Sequence, residues 1–367
     1  MRFLLSAFIA SSLCVVGYAA CSDGRGGGGN NGGADLSGPM LPDPADHDHD
    51  GATPAQGDCN DNDPSIGPNS LELPGNKVDD DCDGMVDEAV TGCDSGTVGK
   101  KDPASLVAAM GMCEPRFFVS AEMRGPSDAR ARDVVSTFGA FQRKEGASMA
   151  LFSTGIAGDK ASPNYVRPQI GTVLDQANTI PNPDLTLPGV TGCGSSQPAT
   201  VNDYSELAVK LKVPMNVHSL TFQFQFFSAE YPEFVCTAWN DELLVELESK
   251  LSGGAPHNIS FDAAMNPITV NNGFFTICAN DNAKPQTQHC THSIDELAGT
   301  GYEETLQGKT IGGSTGWLRT NAPVIPGDEI TLRFLIFDEG DHIYDSAAII
   351  DAFAWSTDVI DAPVTVQ

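Results

Sequence analysis

Two ladders of carboxylates near the start of the chain hold the residues best suited to chemistry. The first reads Asp46-x-Asp48-x-Asp50-Gly51, and the second reads Asp79-x-Asp81-x-Asp83-Gly84-x-x-Asp87-Glu88. An acid at every second position, closed by glycine, is the opening of a calcium loop. A hard cation takes roughly six to eight oxygens, and glycine permits the turn that folds them inward. From Leu41 to Glu88, fourteen acidic residues stand against one basic residue, Lys77. Charge this dense repels itself open unless something neutralises it. A solvated acidic linker is the plain alternative. The spacing, the two glycines and the enclosed cysteines favour a metal, with Asp46, Asp48, Asp50, Asp58, Asp61, Asp63, Asp79, Asp81, Asp83, Asp87 and Glu88 as donors.

A segment with so little apolar material needs staples. Cys59 and Cys82 supply one, and bound metal the other. The wording GDCNDNDPSIGPNSLE…VDDDCDGMVDE resembles the MopE-like metal-binding repeat of secreted bacterial proteins. That family takes its name from a copper-binding surface protein, so copper competes with calcium. Copper prefers imidazole, thioether or thiolate. Only His47 and His49 could serve, and they occupy the non-ligating positions of the first loop. Calcium is therefore the expected ion, in a loop of nonstandard closure, because Gly57 stands where an EF-hand places glutamate.

The N-terminus sets the compartment. Met1-Arg2 precedes an apolar run from Phe3 to Ala20, a charged region and a hydrophobic core of signal-peptide size. The run ends in Tyr18-Ala19-Ala20-Cys21, which resembles a bacterial lipobox and implies lipid on Cys21; plain secretory cleavage is the alternative. Ten cysteines become eight if residues 1–20 are removed and Cys21 is lipidated, an even number suited to an oxidising compartment. The expected bridges are Cys59–Cys82, Cys93–Cys113 and Cys278–Cys290, from short separation, and Cys193–Cys236, by elimination. Residues 21–40 read as a Gly/Asn-rich flexible tether. By resemblance to Gram-negative lipoproteins, Ser22 after the cysteine implies the outer membrane. A net charge of −29 argues against nucleic acid and anionic headgroups as partners.

Beyond the acidic segment (41–92) the texture changes. Asp102-Pro103 opens a short helix through Met110, with Asp102 as cap. Strand-like runs then dominate, among them Ser205–Val213, Ser219–Phe227, Glu242–Glu248, Glu329–Phe337 and Ala347–Trp355. Leu220, Phe222, Phe224 and Phe226 alternate with polar residues, as a strand with one buried face requires. The expected fold is mainly β: a large jelly-roll-like β-sandwich over 93–360, preceded by the small disulfide- and calcium-stapled segment.

Two stretches carry more than patterning: Phe227-Ser228-Ala229-Glu230-Tyr231-Pro232-Glu233-Phe234, followed by Asn240-Asp241, and Phe337-Asp338-Glu339-Gly340-Asp341-His342-Ile343-Tyr344-Asp345-Ser346-Ala347. With Leu151–Gly155 and Asp184-Leu185, they resemble the choice-of-anchor L domain over roughly 103–357. The resemblance implies an extracellular, surface-displayed module that occurs with differing anchors; it supplies no activity. Read chemically, Glu230, Asp241, Asp338, Asp341 and Asp345 lie just past strand ends. If those strands are neighbours, the acids form a second calcium site on the sandwich rim. Ordinary turn-capping aspartates are the alternative.

Candidate catalysts are weaker. Gly312-Gly313-Ser314-Thr315-Gly316 matches G-x-S-x-G, but an extended stretch follows where a nucleophile elbow needs a helix. His289-Cys290-x-His292 with Cys278 hints at zinc, against which a Cys278–Cys290 disulfide competes. Glu230 and Glu233 could form a glycosidase pair, yet they sit on one loop. The expectation is a lipid-tethered, non-catalytic display protein that binds an extracellular protein or polysaccharide. The alternatives are a polymer hydrolase using Glu230 with Asp338 or Asp341, and a copper scavenger.

Overall fold

The computed structural model describes residues 43–89, 91–125, 128–174, 201–237, 239–279 and 290–367. The expected signal peptide, Cys21 and the expected tether, Asp184, Cys193 and His289 lie outside these residues. All the described residues belong to one compact unit, Pro42–Gln367.

Eight strands of five residues or more form the frame: β1 Phe118–Arg124, β2 Met149–Ser153, β3 Val201–Lys212, β4 Ser219–Ser228, β5 Glu242–Glu248, β6 Leu318–Pro323, β7 Glu329–Glu339 and β8 Ser346–Ser356. In one sheet the order is β1-β3-β7-β5, all antiparallel, with Ile268–Thr269 beyond β5. In the other, β4 lies between β6 and β8, and β8 continues to β2 and then Arg132–Val135.

The alternating residues do what their period demands. Leu220, Phe222, Phe224 and Phe226 of β4 face Leu207, Val209, Val245, Leu332 and Phe334 of the opposite sheet in one core. Phe222 and Phe334 meet edge to face at 5.4 Å between the sheets. Each such side chain contributes about 1.5–3 kcal/mol by leaving water. The short helix Pro103–Ala109 forms as expected, with Asp102 accepting from Ser105 N–H, and it buries Leu106, Val107 and Ala109 in the same core.

One expectation is modified. The strands do not present a wholly solvated outer face. Phe227, Met149, Leu151, Ala347 and Ile349 point away from the main core, where Phe138, Leu297 and Tyr302 cover them. Behind the first sheet, Val201, Tyr204, Leu244, Leu335 and Phe337 form a third cluster. Strict alternation therefore ends near the C-termini of β4 and β7, where both faces are buried.

The acidic segment docks on this frame through few contacts. Asn216 brackets Leu71, accepting its N–H at 2.9 Å and donating to its carbonyl at 2.7 Å. Arg116 reaches Asp81 at 2.7 Å. Disulfides join Cys59–Cys82, Cys93–Cys113 and Cys278–Cys290. Cys236 is also disulfide-bonded, and its expected partner Cys193 is outside the described residues.

Candidate metal centres

The two ladders fold alike because their carboxylates bind their own backbone. Asp46 accepts the N–H groups of His49 and Gly51 at 2.7 and 3.2 Å. Asp79 accepts those of Asp83 and Gly84, both at 3.1 Å. In each loop the second acid accepts the N–H of the third: Asp48 from Asp50, and Asp81 from Asp83. The third accepts the N–H two residues on: Asp50 from Ala52, and Asp83 from Met85. Gly51 and Gly84 close the loops at φ +90° and +94°, where a side chain would be strained.

The loops gather two groups of carboxylates. Asp46, Asp48 and Asp50 offer oxygens within 4.8 Å of one another, as do Asp48, Asp58 and Asp61. Asp79, Asp81 and Asp83 do the same, and so do Glu72, Asp81 and Glu88. Asp50 and Asp58 are buried, and Oδ2 of Asp48, Asp50 and Asp58 accepts no hydrogen bond. Burial pushes the carboxyls of Asp50 and Asp58 up from the usual carboxylate range. Buried anionic oxygens with no donor carry a heavy desolvation cost. The donor set is all oxygen, so it suits a hard cation. These residues therefore fit a calcium-class ion.

Glu72 went unanticipated. It stands seven residues before Asp79, outside any alternating ladder, and joins the second group only because the chain folds back. Its carboxylate also accepts the N–H groups of Asp80 and Asp87, at 2.9 and 2.7 Å. Asp63 and Asp87, expected as donors, stand outside the groups. Asp63 accepts from both Ser65 N–H and Oγ–H, and Asp87 from the N–H groups of Gly75 and Lys77. Both fold turns as the ladder acids do, but their oxygens lie outside the clusters. His47 is hydrogen-bonded through Nδ1 to Asp61, which raises its pKa, and neither histidine belongs to a group.

A third group lies at the rim of the sandwich. Glu230 follows β4 of one sheet; Asp241 precedes β5, and Asp338 is the penultimate residue of β7, in the other. Their oxygens lie within 4.8 Å of one another, and all three side chains are buried. Glu230 accepts Asp241 N–H at 3.1 Å. Neither Asp241 oxygen has a donor at ordinary hydrogen-bond geometry, the Ser346 hydroxyl and the Asp338 carboxyl being its close polar side chains, and Asp338 Oδ1 is likewise unmatched. Burial, then the neighbouring acids, pushes all three carboxyls well above the usual range. Asp341 and Asp345, expected in the same cluster, stand beside it. Asp341 is half-buried and caps Ile343 N–H. Asp345 accepts Thr172 N–H at 3.0 Å, and burial pushes it up to about 8.

The catalytic candidates take structural places. Ser314 is buried in a short strand, donates to the Phe226 carbonyl and accepts from Gln225. Glu233 pairs with Lys309 at 3.1 Å on the surface, apart from buried Glu230. Cys278 and Cys290 are joined to each other, so neither is a thiolate for zinc.

Comparison with protein families gives two matches. The choice-of-anchor L domain matches residues 111–355, which include β1 to β7 and nearly all of β8. The Cu-binding MopE metal-binding motif matches residues 58–88. Among curated proteins nothing matches the chain. Among the described residues no helix is long and apolar enough to cross a membrane.

Proposed function

We propose that this chain, which belongs to the choice-of-anchor L family of cell-surface-associated proteins, is a lipid-tethered display protein whose metal-binding motif holds calcium. The observation that carries the metal reading is the set of unmatched oxygens on Asp48, Asp50 and Asp58, held in place by the ladder of backbone hydrogen bonds. Calcium is favoured over copper because no imidazole or thiolate enters either group.

The sandwich then acts as the displayed part, binding an extracellular protein or polysaccharide without turning it over. Lipid on Cys21 attaches it to the outer membrane, and residues 21–40 give it reach. The burial of Glu230 and Asp338 disfavours the hydrolase alternative, because a polymer has no path to carboxylates 1% exposed. Calorimetric titration of the metal-free chain with calcium and with copper tests the metal assignment. Calcium heat with ordering of the 43–89 segment is expected; tight copper uptake without calcium heat overturns it.

A further inference from the structure

We propose that Glu230, Asp241 and Asp338 hold a hard divalent cation, of calcium's class, that ties the two sheets together at the rim. These three residues lie outside the acidic repeat. Oxygens bound to one calcium at about 2.3–2.6 Å stand at most about 5 Å apart, and these three residues offer oxygens within 4.8 Å of one another. An acidic cluster alone is not a site. Here, however, Asp241 is 0% exposed, offers an oxygen to the cluster, and has no donor at ordinary hydrogen-bond geometry on either oxygen, with only the Ser346 hydroxyl and the Asp338 carboxyl as close polar side chains. Among the described residues, no lysine, arginine or histidine forms an ion pair with any of the three; the nearby His342 pairs with Asp203 at 2.8 Å.

Three buried acids without a counter-ion must take up protons or a metal. The donor set is all carboxylate, which excludes the softer transition metals. It also draws on both sheets: Glu230 extends from the second, while Asp241 and Asp338 belong to the first. An ion here adds a cross-link between elements already joined by the Asp241 N–H bond to Glu230. Glu339, Asp341 and Asp345 deepen the negative potential around it.

The test separates this ion from those of the repeat. A chain carrying Asp48→Asn, Asp50→Asn, Asp81→Asn and Asp83→Asn disables both repeat groups without altering any residue of the sandwich. Native mass spectrometry of this variant in calcium is expected to show one retained ion, and chelation is expected to lower its melting temperature. Adding Asp338→Asn should remove both the ion and the melting shift. If that variant fails to fold, Glu230→Gln, which keeps side-chain length, replaces it. A repeat-disabled chain that retains no calcium and melts alike with and without chelator overturns the proposal. The calcium reading of the repeat then still stands or falls on the wild-type titration.

Discussion

Replacing Gly67 with alanine tests the first metal group without touching a charge. Gly67 has no positive φ, so alanine fits its backbone. Its new Cβ, however, would lie 2.2 Å from Asp50 Oδ2, where ordinary contact begins at 3.4 Å. The carboxylate must retreat by about 1.2 Å, while a working metal site tolerates displacements of only about 0.2 Å. Losing its position as a ligand should cost at least as much affinity as losing a supporting residue, about 10–100-fold. That converts to about 1.4–2.7 kcal/mol at saturating calcium, because the ion stabilises only the state it binds. Opposing this, alanine lowers the entropy of the unfolded chain by about 0.4–1 kcal/mol in either condition. The signs should therefore differ: neutral or slightly stabilising in chelator, and destabilising by about 0.4–2.3 kcal/mol in calcium. Denaturant unfolding of wild type and Gly67→Ala in both conditions reads this directly. An equal cost with and without calcium would refute the idea that Asp50 is a ligand.

Three further outcomes are expected. Asn216→Ala removes both hydrogen bonds that bracket Leu71; at about 1 kcal/mol each, hydrogen exchange at residues 69–73 should accelerate while the sandwich melts as before. His47→Gln should leave the calcium affinity unchanged, since glutamine can still donate to Asp61; a collapse of metal uptake in the titration would point to copper. Burial pushes the Asp351 carboxyl up to about 6, although Lys144, Glu145 and Ala352 donate N–H groups to it. The folded state thus holds a proton that the unfolded chain has already released. The associated stability is present below about pH 4, the unfolded value, and is lost as pH rises through about 6. Melts across this range should show that slope in wild type and a weaker one in Asp351→Asn.

Much of this molecule is legible without coordinates. The alternation of Leu220 through Phe226 and the cap at Asp102 are local, so period and backbone chemistry reveal the strand and the helix start. The D-x-D-x-D-G ladders are equally local: each acid binds an N–H two to five residues ahead, whatever surrounds it. The same locality bears on Asp63 and Asp87, which lie outside the groups: composition alone does not distinguish an acid that folds a turn from one that faces an ion. Glu72 is the converse case, a donor brought in by a return of the chain rather than by spacing. The rim goes furthest beyond local pattern. Glu230, Asp241 and Asp338 span more than a hundred residues and two sheets. Sequence marks each as an acid near a strand end. Only the packing of β4 against β5 and β7 decides that three of five candidates share one buried site while Asp341 and Asp345 turn to nearby N–H groups. Burial and convergence are properties of the closed core, and no local pattern encodes them.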